Sequence, residues 1–593
     1  MYRSHLLNSL KKGDAGKSVT LSGWVHRRRD HGGIIFIDLR DRYGITQICS
    51  DPVNFPDAHN ILQDVRSEYV LKIEGKVNVR PEGQANPKME SGEIEVAVEK
   101  LEVLSKALPL PFEIDQDKEV AEEVRLKYRY LDLRRDRLKT NMIVRSQIVK
   151  TIRDFLDKEN FLEIETPILI KGTPEGSREY IVPSRLHEGN FYVLPQSPQQ
   201  LKQLLMVGGM DRYFQMARCF RDEDQRGDRQ PEFTQLDMEM SFVESEDVIA
   251  LNTELMRVLV KKFVPHKKIV TDFIRITYDE AMNLYGSDKP DLRFDMPISD
   301  ISDIASECGF GVFKNTVESD GVVKALAVKG GAKFPRSKID EFEAKAKEVG
   351  AKGLAYLTIE EDGNFKSPIA KFFKPEELQE IADRCHASKG DVIFFVADKW
   401  KRCCEILGFT RLQVADYLEL RKDNEMAFLW VTQFPMFQYN EETKKLDAVH
   451  HPFTSPITED FDKMDTEPEN ALSNAYDIVL NGVEIGGGSV RIHDSDLQAK
   501  VFKILGISDE DAQRRFGHIL HAFMFGVPPH AGIAWGLDRL VMMFRDEPNI
   551  REVIPFPKDQ QARDLMLGSP SIMPKETLDE LHIKVVEKPS VKK

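Results

Sequence analysis

The sequence predicts a multidomain α+β protein: a five-stranded N-terminal barrel, an antiparallel sheet with flanking helices, and an α/β module inserted into that sheet. Three observations predict it. The chain has 593 residues, and single hydrophobic cores rarely grow beyond about 250–300. Residues 1–105 break into short strand-type runs separated by turn residues. Around 286–424 the texture changes to short strands alternating with Lys/Glu-rich helices ("SKIDEFEAKAKEVGAKGLAYL"), and strand patterns resume at "MAFLWVTQFPMF".

The barrel strands are "VTLSGWV", "GIIFIDLR", "GITQIC", "YVLKIEGKVNV" and "IEVAVEKLEVL", with a helix expected around 57–68. Five strands with a helix between the third and fourth match the OB-fold, which holds oligonucleotides on one face and in its 1–2 and 4–5 loops. On the second strand Ile35, Ile37 and Leu39 point one way, and Phe36, Asp38 and Arg40 the other. Phe36 is either a surface aromatic or a stacking platform for an unpaired base. "KALPLPFEID" is proline-punctuated and opens a linker drawn at 106–125. Val144, Ile148, Ile152, Phe155 and Leu156 then form the stripe of an amphipathic helix, followed by the strand "FLEIETP". The remaining boundaries are a first sheet segment at 126–285, the insert at 286–424, a second sheet segment at 425–560 and a C-terminal extension at 561–593. The tail "VVEKPSVKK" reads as frayed.

Composition is that of a soluble globular chain, 41 % hydrophobic and 31 % charged. "MYRSHLLNSLKKGD" has no apolar h-region, so no secretory signal is expected, and runs such as "DVIFFVA" are too short to span a bilayer. Six cysteines without a C-x-x-C pair disfavour a zinc site or a disulfide framework, and a reducing cytoplasm is the simplest setting. A net charge of −15 argues against coating nucleic acid non-specifically. Local recognition stays open, because the first thirty residues carry seven Lys/Arg against two Asp, including "HRRRD" at 26–30.

In "RCFRDEDQRGDRQPEFTQLDMEMSF" (218–242), Gln235, Asp237 and Glu239 alternate with Leu236, Met238, Met240 and Phe242. That is the period of a half-buried strand, whose acidic face is either solvated or the floor of a polar pocket. In "NAYDIVLNGVEIGGG" an Asn481-Gly482 turn pairs Val479 with Glu484 and sets Asp477 diagonally beside Glu484. Two carboxylates so placed suit Mg²⁺ bridging phosphates, or else form a repelling surface pair. "GGG" alone is a poor phosphate-loop signal.

Three stretches converge: the unit ending in "IETP", the hairpin with "FRDE" (220–223), and "GIAWGLDRL" (532–540) with Arg539 in the first turn of a helix. In this order they resemble the three motifs of class II aminoacyl-tRNA synthetases. The flanks "TPEGSREY", "QSPQQLKQLLM", "GSDKPDLRF", "HHPFTSP", "GGGSVRIH" and "PPHAGIAWGLDR" are similar to bacterial-type aspartyl-tRNA synthetases over essentially the whole chain. The insert matches that family's extra domain.

The resemblance implies activation of L-aspartate with ATP and transfer to tRNA, with Arg221 and Arg539 as the catalytic pair. Arg221 would clamp the α-phosphate, with Asp222, Glu223 and Gln230 holding the nucleotide. Arg539 would meet the γ-phosphate of a bent ATP near a helix N-terminus, which itself favours anions. Glu484, Gly536, Leu537 and Asp538 complete the implied ATP site, Gly532 and Gly536 let adenine lie close, and Asp477 with Glu484 would hold Mg²⁺. Lys202 and Arg491 would take the substrate's side-chain carboxylate, oriented by Asp237, with His450 joining as the pocket closes. Glu175, Ser197 and Gln199 would fit the α-ammonium group, and Gln200, Leu201 and Arg221 belong to the same aspartate site.

The family's anticodon readers fall on Phe36, Gln47 and Glu95. His31, in loop 1–2, and Gly83, in loop 4–5, stand where members restricted to tRNA-Asp tend to carry Leu and Lys. His with Gly is similar to the relaxed kind that also charges tRNA-Asn and depends on a tRNA-dependent amidotransferase. A homodimer through the 142–167 unit is also implied. The rivals are an enzyme for tRNA-Asp only, a lysyl or asparaginyl synthetase, and a catalytically silent tRNA-binding regulator.

Overall fold

The computed structural model describes residues 1–115, 119–172, 176–461 and 463–586. These form two compact units, 1–142 with 564–569 and 143–563 with 570–593. Glu175 and the last seven residues of the frayed-tail expectation lie outside the described residues.

The first unit holds a closed barrel of β1 (Ser18–His31), β2 (Ile34–Arg40), β3 (Ile45–Cys49), β4 (Val70–Val79) and β5 (Ile94–Ser105), in the order β1-β2-β3-β5-β4. Period-2 alternation sends Ile35, Ile37 and Leu39 into its core with Leu21, Ile48, Ile73 and Val96. The helix runs Pro56–Asp64, stopping short of the expected 68. β1 runs six residues beyond the expected Val25, through "HRRRDH", with a register shift between Val25 and Arg27. Those residues lack apolar alternation, so the strand is held from outside its own pattern: Arg27 pairs with Asp115 at 2.9 Å and Arg29 with Asp38 at 2.6 Å. His31 therefore ends β1, opposite Ile34 across a Gly32-Gly33 turn, and does not sit in a loop.

The second unit is built on an eight-stranded sheet. Its strands run in the order Lys268–Thr277, Glu425–Thr432, Ala475–Leu480, Val483–Val490, His530–Gly536, Glu232–Ser241, Arg212–Phe220 and Leu162–Glu163. Its interior is antiparallel, as expected, while both edge pairs are parallel. "FLEIETP" contributes only Leu162–Glu163. Ile148, Ile152 and Leu156 of the Asp136–Lys158 helix are fully buried in this unit's own core beside Leu236, Met238 and Met240. Phe242 departs from the expected alternation: the strand ends at Ser241, and Phe242 turns to a φ of 58° and is exposed.

A separate five-stranded antiparallel sheet spans Ile298–Asp398. Helices Arg336–Glu348, Pro375–Arg384 and Trp400–Tyr417 supply its cores. Where the chain leaves the main sheet, Gly286 (φ 69°) meets the Trp400–Tyr417 helix so closely that a Cβ would fall 2.2 Å from the Cys404 carbonyl oxygen. The buried Arg411 guanidinium donates to the carbonyls of Asp291, Phe294 and Met296 at 2.9–3.0 Å. This fixes the chain as it passes into the insert.

Candidate active site

A cleft of about 1030 Å³ opens in the second unit. Lys202 and Arg539, each on a helix, and Arg221 and Arg491, each one residue past the end of a strand, all line it.

One end is buried and internally paired. Lys202, on the Gln199–Val207 helix, places Nζ 2.8 Å from Asp237 Oδ1 and 3.2 Å from Glu239 Oε2. Arg491 donates from Nε and Nη2 to the two Glu239 oxygens at 2.9 and 3.1 Å, and from Nη1 to Ser489 Oγ at 2.6 Å. The orienting carboxylate for Arg491 is thus Glu239, which sequence reasoning left out of the site. Its alternation with Asp237 on one strand face was the available signal. Burial would raise the Glu239 pKa, but the Arg491 and Lys202 charges outweigh it and hold it down to about 2. Asp237 goes the other way: burial dominates and raises its pKa, and its Oδ2 has no partner.

Gly532 has a different job from the expected one. A Cβ there would lie 1.9 Å from Glu239 Oε2 and 2.3 Å from the Met238 carbonyl oxygen, so its bareness makes room for the Glu239 carboxylate. Gly536 does line the cleft, with nothing within 3.7 Å of a built Cβ.

The other end is more open. Arg221 lies over the Phe233 ring at 5.1 Å, and its Nε is buried without a partner. Glu223 accepts from Ser177 Oγ and, at 2.8 Å, from Arg229 Nη1. Arg539 reaches the Glu484 carbonyl at 3.0 Å and Asp228 at 3.1 Å. Gln230 lines the cleft, yet its amide is bonded to the Lys558 backbone at 2.8 and 3.1 Å. Of the three remaining residues expected at the nucleotide, two lie outside the lining. Asp222 is exposed and outside the lining. Asp538 lines the cleft, its carboxylate bonded to Arg145 at 2.5 Å and to the Thr234 amide at 2.9 Å. The Leu537 side chain belongs to the core.

The carboxylate pair adjoins Arg539, which reaches the Glu484 carbonyl. Val479 pairs with Glu484 across Asn481-Gly482, both at positive φ, as the turn chemistry requires. Burial and the adjacent Asp477 charge raise the Glu484 pKa, so the two carboxylates repel and fit a shared cation. Gly487 supports them, since a Cβ would meet Asp477 Oδ1 at 2.5 Å. No three-residue metal cluster occurs among the described residues, so such a cation would draw further oxygens from a bound phosphate.

The two histidines divide their work. His450 Nε2 lies 3.3 Å from Asp477, and although burial opposes it, the Asp477 charge raises its pKa. His451 Nε2 lies 2.7 Å from Arg491 Nη1. Burial and the Arg491 charge hold that imidazole neutral, its pKa well below the usual value. His451 touches the Lys202–Arg491 end, and His450, expected to join as the pocket closes, lines the cleft beside Asp477. Ser197 and Gln199 line the cleft, whereas Gln200 and Leu201 do not.

In the barrel, Phe36, Gln47 and Glu95 are brought together. Gln47 donates to Glu95 at 2.8 Å and accepts from Arg29 at 3.1 Å, and Phe36 sits two positions from Asp38, which faces Gln47 across the strands. The His31 ring lies 6.2 Å from Phe36. Gly83 has a φ of 79° and open space around it.

A mixed sheet carrying this cleft, in a chain that begins with such a barrel, defines a class II aminoacyl-tRNA synthetase. Residues 121–560 match the family of class II tRNA synthetases (D, K and N), and residues 19–104 match the OB-fold nucleic acid binding domain. The chain is 50 % identical over 590 residues to "Aspartate--tRNA(Asp/Asn) ligase" of Desulfatibacillum aliphaticivorans, covering 100 % of this chain and 99 % of that protein. It is 51 % identical over 583 residues to the protein of that name from Heliobacterium modesticaldum, covering 98 % and 96 %. The asparaginyl-tRNA synthetase of Pyrococcus horikoshii, solved with asparaginyl-adenylate, shares the fold at a TM-score of 0.58 and 20 % identity, over 94 % of this chain and 98 % of that one. The chain belongs to the class II tRNA synthetases of the D, K and N group, in the aspartate–tRNA(Asp/Asn) ligase family. Enzymes of this class use ATP.

Proposed function

We infer that the protein activates L-aspartate with ATP and transfers the aspartyl group to tRNA-Asp and tRNA-Asn. The observation that carries this reading is the single cleft that joins a buried Lys202–Arg491 pair to Arg221 and Arg539. An α-carboxylate oxygen of aspartate attacks the α-phosphorus in line. The bond to the β-phosphate breaks and pyrophosphate leaves. A terminal hydroxyl of tRNA then attacks the acyl carbon and AMP departs. Such phosphoryl transfer needs positioning and charge neutralisation more than a protein nucleophile. Arg221 clamps the α-phosphate and Arg539 the far end of the nucleotide. Asp477 and Glu484 would hold Mg²⁺, whose charge offsets that of the phosphates.

Lys202 and Arg491 receive the side-chain carboxylate. Asparagine is nearly isosteric, so rejection is electrostatic: an ion pair at about 4 Å is worth roughly 4 kcal/mol at an effective dielectric near 20. Asparagine also leaves both cations short of a partner. The paired ends of the cleft speak against a silent tRNA-binding relative, and the acid-receiving cations against a lysyl or asparaginyl enzyme.

Phe36 stacks an anticodon base beside Gln47 and Glu95, and His31 with Gly83 leaves the third base loosely read. Aspartyl-tRNA-Asn then needs a tRNA-dependent amidotransferase. Exposed Leu162, with Ile168 and Leu169 just beyond the 142–167 region, supports a homodimer through that region, and no helix among the described residues is long and apolar enough to cross a membrane. Charging purified tRNA-Asn with labelled aspartate tests the broader specificity; product no higher than the no-enzyme control reduces the enzyme to tRNA-Asp. Aspartate-dependent pyrophosphate–ATP exchange tests the enzyme reading itself.

A further inference from the structure

One motif remains without a role: "GSDKPDLRF", the stretch where the chain leaves the main sheet for the insert. Ser287, Asp288, Lys289, Pro290 and Asp291 all line the cleft, on the wall that the insert supplies together with Glu405 and Arg411. This wall is held firmly. Arg411 grips the Asp291 carbonyl at 2.9 Å, and the Asp291 carboxylate is bonded to Arg293 at 2.6 Å. A Cβ built on Gly482 would lie 3.2 Å from Asp291 Cβ, so the loop rests on the same Asn481-Gly482 turn that presents Glu484.

Lys289 is the one residue of this loop segment 286–291 with a positive charge. Its Nζ lies 2.9 Å from Asp288, and the side chain is 45 % exposed. A pairing with a sequence neighbour at such exposure contributes little. The carboxylates that act on it include Glu484 and Asp477, and together with Asp288 they outweigh burial and keep it protonated. Arg539 also acts on Glu484 and donates to its carbonyl at 3.0 Å. Lys289 and Arg539 thus both line the cleft and act on Glu484, one from the insert's leading loop and one from the helix of the third motif.

We propose that Lys289 binds the β- and γ-phosphates of ATP and the pyrophosphate they become, making the insert's leading loop the leaving-group wall of the cleft. The proposal rests on the adenylation reading above. In that step the new bond joins a carboxylate oxygen to the α-phosphorus, and the electron pair of the broken bond leaves on pyrophosphate. Charge therefore grows on the leaving group, where an ammonium gains most. Lys289 exchanges its weak contact with Asp288 for a charge-assisted bond to phosphate.

The test uses full-length Lys289→Ala and Lys289→Arg. The alanine variant is expected to raise the KM for ATP, and the half-saturating pyrophosphate in the reverse reaction, by about tenfold or more. The KM for aspartate stays within about twofold, and so does single-turnover transfer from preformed enzyme-bound aspartyl-adenylate to tRNA. The arginine variant recovers most of the loss. Unchanged ATP and pyrophosphate dependence in Lys289→Ala overturns the proposal, as does an equal loss in the transfer step, which marks a structural role. Wild-type enzyme without aspartate-dependent exchange would instead overturn the functional reading.

Discussion

The two ends of the cleft solve opposite electrostatic problems. At the end proposed for aspartate, Lys202, Arg491, Asp237 and Glu239 are each no more than 2 % exposed, and the two cations are paired with the two carboxylates before any substrate arrives. At the end proposed for the phosphates, Arg539 is 25 % exposed, Arg221 keeps a buried Nε unpartnered, and Asp477 and Glu484 repel one another. A small substrate carries too little binding surface to organise its own receptor, so that end is rigid beforehand. A polyphosphate brings several charges, and its end can stay under-paired until the nucleotide arrives.

The largest expected effect breaks the rigid end. Arg491→Ala leaves Glu239 buried with only Lys202 opposite, and removing one partner of a buried pair costs about 3–5 kcal/mol. Pyrophosphate–ATP exchange should vanish and the urea midpoint should fall. An unchanged midpoint would mean that this end is not held by its ion pairs. Arg539→Ala acts on the open end: exchange should fall by about 10²–10³-fold while the urea midpoint and tRNA binding hold. If it unfolded the protein as readily as Arg491→Ala, the contrast between the ends would be wrong.

The next effect is one of pH. The folded-state pKa of Glu239, about 2, lies below its ordinary value of 4.5. Its contribution to stability is therefore present above the ordinary value and is lost as pH falls through the folded one. The stability gap between wild type and Glu239→Gln should be flat near neutrality and shrink from about pH 4.5 toward 2, read by denaturant melts at each pH. A gap that widens on acidification refutes this assignment of charge.

Smaller effects belong to the barrel. Phe36→Ala should weaken tRNA binding by about 1–3 kcal/mol, the worth of one stacked base, and leave exchange untouched. Gly83→Lys forces a side chain onto a φ of 79°, costing roughly 1 kcal/mol of barrel stability. Charging of tRNA-Asn should fall relative to tRNA-Asp in that variant, measured on both purified tRNAs. Equal charging would detach Gly83 from tRNA choice.

How much was legible follows from where each signal resides. The barrel, the Asn481-Gly482 turn and the helix opened by "GLDRL" rest on local pattern, and local pattern survives folding. The extension of β1 through "HRRRDH" was hidden because its partners, Asp38 and Asp115, lie elsewhere in the sequence. The pairing of Arg491 with Glu239 spans the whole insert, and no spacing rule connects the two. Gly532 was assigned to the wrong neighbour for a related reason. Bareness at a glycine is visible in sequence, but what fills the space is not. The neighbouring His450 and His451 look alike in "HHP", yet they serve Asp477 and Arg491 respectively.

The arginines at the end of β1 have a thermodynamic consequence. Arg27, Arg28 and Arg29 are tied to Asp115, to the Leu62 carbonyl and to Asp38 with Gln47. Arginine side chains left free on a flexible segment would forfeit up to about 2 kcal/mol of rotamer freedom each when RNA orders them. Here part of that freedom is surrendered at folding, so association with an anticodon loop should show a smaller entropic penalty than a disordered basic arm would.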